Sequence, residues 1–443
     1  MISLNNNARH SAFLVLKRVF GEKTYLNIAL KNIDRKSLSE KDISFITRLT
    51  NTVLENLGQI DYALKPLIEG KRVHSSIRTI LRMSVCEILF MSTPDRAAVN
   101  EAVNLTVRIG KESLKGFVNA VLRNFSDIKE KTEYPDIEKQ PKEYFEVFSG
   151  YKPWFIDEVI EDYGMEFAKD FLLYKQKYPD YTHIRINTLK ISVEDIQKHI
   201  DDEGFGTRED EIFADGLYIK KFTDIENREI FKNGQISVMG KASMVCVSLA
   251  SPKEGMSVID ACAAPGGKTA YMSSLMQNKG NITAFDIHPH RVELTRKNMK
   301  RLGCENVFVS VKDASEYDES LKEKFDLVFL DMPCSSMGLA YKKADIRLFK
   351  EKADVENLAA AQKKILNAAK NYVKRGGILM YMICSITREE SDLKWFFKKN
   401  KNFTEEKLDI PKNVEYFKAE HGIKLFPNIS NMDGFYICKM RKN

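Results

Sequence analysis

Cys334 and Cys384 are the residues of this 443-residue chain whose surroundings most suggest chemistry, in Asp331-Met-Pro-Cys-Ser-Ser336 and Tyr381-Met-Ile-Cys-Ser-Ile386. Each follows a short apolar run. A thiolate can add to carbon 6 of a pyrimidine and turn the ring into an enamine. Carbon 5 then attacks a sulfonium methyl, and loss of the carbon 5 proton expels the sulfur. Asp331 could hydrogen-bond the ring nitrogen and amino group, stabilising charge as the thiolate adds. One cysteine suffices as nucleophile, and the other could assist release. A thiol with an ordinary pKa of about 8.5 must be activated by its surroundings. Cys86, Cys246, Cys304 and Cys438 sit in apolar or helical runs and read as small buried hydrophobes, while Cys262 reads as a packing and cofactor-lining residue. Seven cysteines with no C-x-x-C pair suggest neither a disulfide framework nor a zinc site, so no metal is expected.

A second constellation accompanies the thiols. Asp260-Ala-Cys-Ala-Ala-Pro-Gly-Gly-Lys-Thr269 follows an apolar strand and carries small residues and two glycines ahead of a helix, which lets backbone approach a ligand closely. Its spacing matches neither a dinucleotide fingerprint nor a Walker loop. Asp286, Asp313 and Asp331 then fall at the ends of successive strands. An acid at the second can take both hydroxyls of a ribose, and one at the third can accept from an adenine amino group. Carboxylates without a phosphate loop suit an adenosine that carries no phosphates, and S-adenosylmethionine fits. Each Asp alone would more commonly be a cap or turn residue.

The elements that must hold these residues follow from periodicity. Apolar strands at 257–259, 282–285, 307–311, 326–330 and 378–382 alternate with helical stretches at 289–302 and 355–373. This predicts a doubly wound α/β, Rossmann-like parallel sheet over residues 241–443, with the pair at 423–426 and 434–438 as a hairpin at its edge. Ligands bind such a sheet beyond the carboxyl ends of its strands. Residues 151–240 mix a helix at 155–163, strands at 183–187 and 217–221 and a helix at 193–200, a small α+β module. Residues 131–150 are charged, carry Pro135 and Pro141, and read as a linker. Residues 1–130 read as a helical bundle: Ala12, Leu16 and Val19, then Ile46, Leu49, Val53 and Leu57, then Ile77, Ile80, Leu81 and Ile88 recur at three- and four-residue spacing. Turn signals at Gly21, Ser37–Ser39, Gly70 and Ser92–Asp95 separate them.

The length itself exceeds one ordinary domain. No apolar run approaches the ~18 residues of a spanning helix, and the first ten residues show no secretory signal, so a cytoplasmic monomer without membrane contact is expected. The net charge of +7 is concentrated: the first 130 residues hold 20 basic and 13 acidic residues, which is the entire excess. That asymmetry suggests an anionic partner for the bundle, foremost nucleic acid.

Carried by the cofactor loop, the Pro-Cys segment and the second cysteine, the chain resembles the RsmB/NOP family of RNA cytosine-5 methyltransferases. Its helical start resembles a NusB-like RNA-binding domain, a pairing that points to the RsmB type acting on small-subunit ribosomal RNA. The resemblance implies S-adenosylmethionine bound by Cys262, Ala263, Ala264, Pro265, Gly266, Gly267, Lys268, Asp286, Arg291, Asp313 and Asp331. It implies Cys384 as nucleophile, Cys334 as the thiol that helps free product, Asp331 as a catalytic partner, and ribosomal RNA as substrate. Departures from the family pattern fall at Ile383, at Met239-Gly240 and over 340–345. The competing readings are an RNA-binding assembly factor with a vestigial catalytic domain, a methyltransferase of another RNA, and a DNA cytosine methyltransferase.

Overall fold

The computed structural model describes residues 8–34, 38–177 and 179–443; the first seven residues, and Ser37 of the second turn signal, lie outside the described residues. Two compact units emerge. One comprises the chain up to Leu173 together with Lys342–Glu351, the other Tyr174–Tyr341 together with Lys352–Asn443.

The first unit is all-helical. Ala12, Phe13, Leu16 and Val19 of the helix Ala8–Glu22, Ile46, Leu49 and Val53 of Glu40–Glu55, and Ile77, Ile80, Leu81 and Ile88 of Ser75–Phe90 are buried in one core, as their spacing requires. Ser39 and Asp42 cap the second of these helices reciprocally. The stripe from Ile46 to Leu57 is broken, however: Asn56 ends one helix and Leu57–Ile68 is another. At Gly58 the helix Pro141–Ser149 comes so close that an added Cβ would lie 2.5 Å from the Val147 carbonyl oxygen.

That helix corrects the linker expected over 131–150. Pro141 occupies its first turn, where the missing N–H costs nothing, and Phe145 is fully buried; the many charges of the segment concealed one short apolar face. Helices Pro153–Tyr163 and Met165–Leu172 pack with this unit as well. The returning segment is an integral member of the first unit. Its helix Ala344–Phe349 sets Ala344, Leu348 and Phe349 against the core, Leu26 N–H donates to Asp345 Oδ2 at 2.8 Å, and the buried Arg347 donates to the Ser149 carbonyl.

The second unit opens with a four-stranded antiparallel sheet of β1 (Tyr181–Ile186), β2 (Thr207–Glu209), β3 (Gly216–Lys220) and β4 (Ile236–Val238), in the order β2-β3-β1-β4. Ile196 and Ile200 of the helix Val193–Asp202 share a core with Ile184, Ile186, Leu217 and Ile219 of that sheet. A larger sheet follows, built from β5 (Ser257–Asp260), β6 (Asn281–Asp286), β7 (Val307–Val311), β8 (Phe325–Asp331), β9 (Val373–Ile383), β10 (Phe403–Glu405), β11 (Phe417–Lys418), β12 (Ile423–Leu425) and β13 (Phe435–Lys442). Its path is β11-β12-β13-β9-β8-β5-β6-β7, with β10 also pairing β13.

The five expected strands form the parallel part. From β5 the chain winds outward through β6 and β7, then returns to lay β8 on the other side of β5. The topological switch point therefore lies between β5 and β8, where ligands of such sheets bind. The terminal pair differs from expectation. β12 and β13 are antiparallel neighbours, but β13 sits between β9 and β12 with its first six residues buried, so the sheet is mixed rather than purely parallel. The unbroken run Phe435-Tyr-Ile-Cys-Lys-Met440 suits a strand covered on both faces.

Candidate active site

Register explains how residues about fifty positions apart meet. β8 and β9 run parallel with Asp331 opposite Met382, and Met332 N–H continues the ladder onto the Met382 carbonyl at 3.0 Å. Cys334 lies three residues beyond Asp331 and Cys384 two beyond Met382, so the two loops leave the sheet side by side. Their Sγ atoms are 3.0 Å apart. Gly338 N–H donates to the Cys384 carbonyl at 3.1 Å, and Gly434 N–H to the Gly338 carbonyl at 2.9 Å. A Cβ at Gly338 would lie 2.0 Å from the Gly434 oxygen, so the loop after Cys334 can be held against β13 only without a side chain there.

The two thiols are made unequal by their surroundings. The hydrogen bond from Cys334 lowers the pKa of Cys384 and prevails over burial and the nearby Asp331 carboxylate, with Ser336 and Lys268 assisting. Ser336 Oγ lies 3.4 Å from Cys384 Sγ. The same pairing, joined by burial and the carboxylate of Glu390, drives Cys334 well above the ordinary thiol range. These surroundings favour the thiolate at Cys384 and the protonated form at Cys334.

Across the switch point, Lys268 Nζ donates to Asp331 Oδ2 at 2.6 Å and lies 5.6 Å from the Phe435 ring centroid. Burial works against the Lys268 ammonium, yet Asp331 overcomes it and the pKa is raised. At the end of β5, Asp260 is buried, accepts from Thr269 Oγ1 at 2.7 Å, and is pushed up to about 7 chiefly by desolvation.

One cavity of about 610 Å³ unites these groups, lined on one side by Cys334, Cys384, Lys268 and Asp331 and on the other by Cys262, Ala264, Asp286, Arg291 and Asp313. Asp286 Oδ1 accepts from His288 N–H at 3.0 Å, and its Oδ2 is 3.2 Å from Arg291 Nη1. Arg291 Nη2 donates to the Ala264 carbonyl at 2.7 Å, tying the helix Pro289–Leu302 to the loop. The donor set fits S-adenosylmethionine: three carboxylates at the ends of β6, β7 and β8 face a space floored by small residues.

Not every expected residue faces that space. Ala263, Pro265, Gly266 and Gly267 do not line it. Ala263 N–H donates to the Phe285 carbonyl at 2.8 Å, and Gly266 N–H closes a turn on the Ala263 carbonyl at 2.7 Å, at φ +93. They shape the loop, and at Gly266 the left-handed φ of +93 would strain any side chain, whose Cβ would also press on Met299 and Thr295. Cys86, Cys246, Cys304 and Cys438 are buried, as expected.

Sequence reasoning missed His288, Lys312, Lys364, Asp433 and Phe435 in the lining. It also missed a buried carboxylate, Glu390, behind the cysteine loops. A signal for the latter exists. Thr387-Arg-Glu-Glu390 has the S/T-x-x-E spacing of a capping box.

Comparison with known proteins agrees with this geometry. Residues 247–441 match the family model described as 16S rRNA methyltransferase RsmB/F, residues 6–127 the NusB family, and residues 151–226 the ferredoxin-like domain of RsmF/B-like methyltransferases. The probable ribosomal RNA small subunit methyltransferase B of Bacillus subtilis is 30% identical over 98% of this chain and 99% of its own length. The chain belongs to the RsmB/F methyltransferase family. A further RsmB/F relative, ribosomal RNA small subunit methyltransferase B of Proteus mirabilis, is 26% identical over 87% of this chain and 89% of its own. Among solved structures, that of PH0851 is 26% identical and superposes with a TM-score of 0.82 over 99% of this chain and 100% of its own. A methyltransferase homolog protein from Pyrococcus horikoshii is 29% identical, with a TM-score of 0.59 over 68% of this chain and 98% of its own. Two of the departures from the RsmB/F pattern sit close to the site: Ile383 is fully buried just before Cys384, and a Cβ at Gly240 would lie 3.0 Å from Asp433 Oδ2. Among the described residues of this RsmB/F chain, no cluster of three or more His, Cys, Asp or Glu could hold a metal ion, and no helix is long and apolar enough to cross a membrane.

Proposed function

We propose that this chain transfers a methyl group from S-adenosylmethionine to carbon 5 of a cytosine in small-subunit ribosomal RNA, through a covalent adduct between Cys384 and carbon 6 of the base. The observation that carries this reading is the pair of unequal thiols 3.0 Å apart, opening into one cavity with Asp331 and Lys268. A vestigial site would have no reason to retain all four groups.

In this reading Asp286 and Asp313 hold the cofactor's nucleoside, Cys262 and Ala264 floor it, and Arg291 braces Asp286. The cofactor supplies an electrophilic methyl. Cys384 adds to carbon 6, the displaced electron pair moves to ring nitrogen 3, and Asp331 relays a proton there from the Lys268 ammonium while accepting from the exocyclic amino group. Cys334 handles the proton that must leave carbon 5 before the sulfur can be expelled. The cavity is recessed at the strand ends, so the target cytosine must be splayed from its stack, which favours an unpaired or loop position. The basic excess of the first 130 residues would supply salt-sensitive affinity for the RNA.

Bisulfite sequencing of 16S ribosomal RNA from cells with and without the gene tests the proposal. One protected cytosine should disappear on deletion, and an unchanged pattern would sink it. The cofactor assignment has its own check: Asp286→Ala should weaken S-adenosylmethionine binding by roughly 10-fold or more, as loss of charge-assisted hydrogen bonds of 1.5–3 kcal/mol implies. A dissociation constant equal to that of the unaltered protein in calorimetry would remove Asp286 from the ribose.

A further inference from the structure

Behind the two cysteine loops, outside the cavity lining, lies a carboxylate with a full complement of donors. Glu390 is 1% exposed. Its Oε1 accepts from Ser335 N–H at 2.9 Å and from Gln362 Nε2 at 2.9 Å. Its Oε2 accepts from Ser335 Oγ at 2.5 Å and from Thr387 Oγ1 at 2.8 Å. Ser385 Oγ stands 2.9 Å from Ser335 Oγ and 3.2 Å from Thr387 Oγ1. Ser335 and Thr387 give their single hydroxyl protons to Glu390, so the proton of Ser385 must serve one of these two contacts and every hydroxyl is satisfied. Gln362 Nε2 also donates to the Pro333 carbonyl at 2.8 Å, and its Oε1 accepts from Tyr381 OH at 3.0 Å.

The partners are distributed in a telling way. Pro333 and Ser335 flank Cys334, while Ser385 directly follows Cys384 and Thr387 closes that loop. Apart from the two thiols, the Ser336–Cys384 contact and the Gly338 contact, the side chains that join one loop to the other converge on this one carboxylate. A buried ion without a cation costs several kcal/mol unless its hydrogen bonds are complete, and here they are.

We propose that Glu390 is a positioning residue that clamps the Cys334 loop to the Cys384 loop and so sets the separation and alignment of the two thiols. The proposal rests on the reading that these thiols carry the chemistry. Glu390 touches neither cavity nor substrate, and it acts only through the loops. With the clamp intact, Cys334 stays in place to hydrogen-bond Cys384, and the negative charge behind it favours the protonated form of Cys334. Without it, the loops keep only the Gly338 backbone contact, the Ser335–Ser385 hydroxyl pair and the long Ser336–Cys384 contact, and the thiols lose their alignment.

The test compares Glu390→Ala with Glu390→Gln. A glutamine keeps the shape, and the Ser335 and Thr387 hydroxyls can rotate to accept from its amide, so it should rescue much of what alanine loses. Three readings are taken on the full chain: turnover on 16S ribosomal RNA transcript, affinity for S-adenosylmethionine, and the pH dependence of Cys384 alkylation by iodoacetamide, followed by mass spectrometry. Glu390→Ala should lose about 100-fold in turnover, the scale of a misplacement near 1 Å, with cofactor affinity unchanged and the alkylation midpoint shifted to higher pH. Glu390→Gln should stay within about tenfold of the unaltered protein, since one neutral-for-charged hydrogen-bond set is worth roughly one such step. A folded Glu390→Ala with the unaltered alkylation midpoint overturns the clamp, and so does a glutamine variant as impaired as alanine. If Glu390→Ala does not fold, Ser335→Ala, which removes one link, is read by the same three measurements and must shift the midpoint in the same direction. Failure of Cys334→Ala to form any RNA adduct would instead strike the underlying reading, while the alkylation comparison would still judge the clamp.

Discussion

Cys334→Ala is expected to leave the protein covalently attached to its RNA, as a band that survives denaturing electrophoresis, while Cys384→Ala gives neither adduct nor methyl transfer. The asymmetry follows from the environments of the two sulfurs. Cys384 receives a hydrogen bond from Cys334 and has its pKa lowered, so it is the thiolate that adds to the base. Once bonded to carbon, it no longer presents an anion to Cys334. The pKa of Cys334 then falls back, its proton leaves for solvent, and a base is in place for the carbon 5 hydrogen. Taking that hydrogen returns an electron pair to the ring and expels Cys384. Without Cys334 the adduct forms but resolves slowly, with turnover reduced by about 10²–10⁴, the usual worth of a positioned acid–base group. A second consequence separates this from simple damage. Losing Cys334 also removes the hydrogen bond that lowers Cys384, so adduct formation should rise more steeply with pH between about 7 and 9, where a thiol near its reference pKa titrates. An adduct in Cys384→Ala instead would reverse the two roles.

Asp331→Asn should be nearly as damaging. Asparagine keeps the shape and one acceptor but surrenders the charge, and it leaves the Lys268 ammonium in the cavity beside a neutral partner where it now has a carboxylate at 2.6 Å. Addition of the thiolate pushes an electron pair onto ring nitrogen 3, which must take a proton, and Asp331 is placed to relay one there from the Lys268 ammonium; losing a positioned acid–base group costs about 10²–10⁴ in rate. The loss should fall on adduct formation in single-turnover assays, with the dissociation constant for S-adenosylmethionine changed much less. Turnover within threefold of the unaltered protein would take Asp331 out of the reaction, and an equal loss in cofactor binding would assign it to the cofactor alone.

Much of this site was legible because parallel strands write themselves plainly. Runs such as Phe325–Leu330 and Ile378–Met382 announce buried strands, and the residues just past them announce a crevice. The aspartates and both cysteines could therefore be assigned to one cavity from spacing alone. What spacing could not convey was contact across elements. That Lys268 pairs with Asp331, rather than simply lining the cofactor loop, depends on the order in which β5 and β8 are laid down. Phe435 was assigned to an edge because strand order beyond β9 is set by which apolar surface it covers, which no local pattern records. Glu390 went unread for a related reason: the Thr387-x-x-Glu390 spacing suggests only a local cap, whereas the side chain spends its acceptors on a loop more than fifty residues away. The helix Pro141–Ser149 hid behind its charges, since a nine-residue helix needs only two or three apolar positions to dock.

The helix Ala344–Phe349 bears on the order in which the protein can be made. Synthesis delivers the amino terminus first, and domains generally fold as they emerge. Here the first unit lacks one of its own helices until residue 351 has left the ribosome, by which time β1 to β8 have already been translated. Until then the surface that will receive Leu348 and Phe349 stays open, and the Leu26 N–H has no Asp345 to bind. The helical unit therefore starts folding first but cannot finish until β1 to β8 of the second unit have been translated. A nascent chain stalled at residue 330 should present it in a looser form, readable as faster proteolysis of the helical unit than in a chain stalled beyond residue 351 with the exit tunnel cleared.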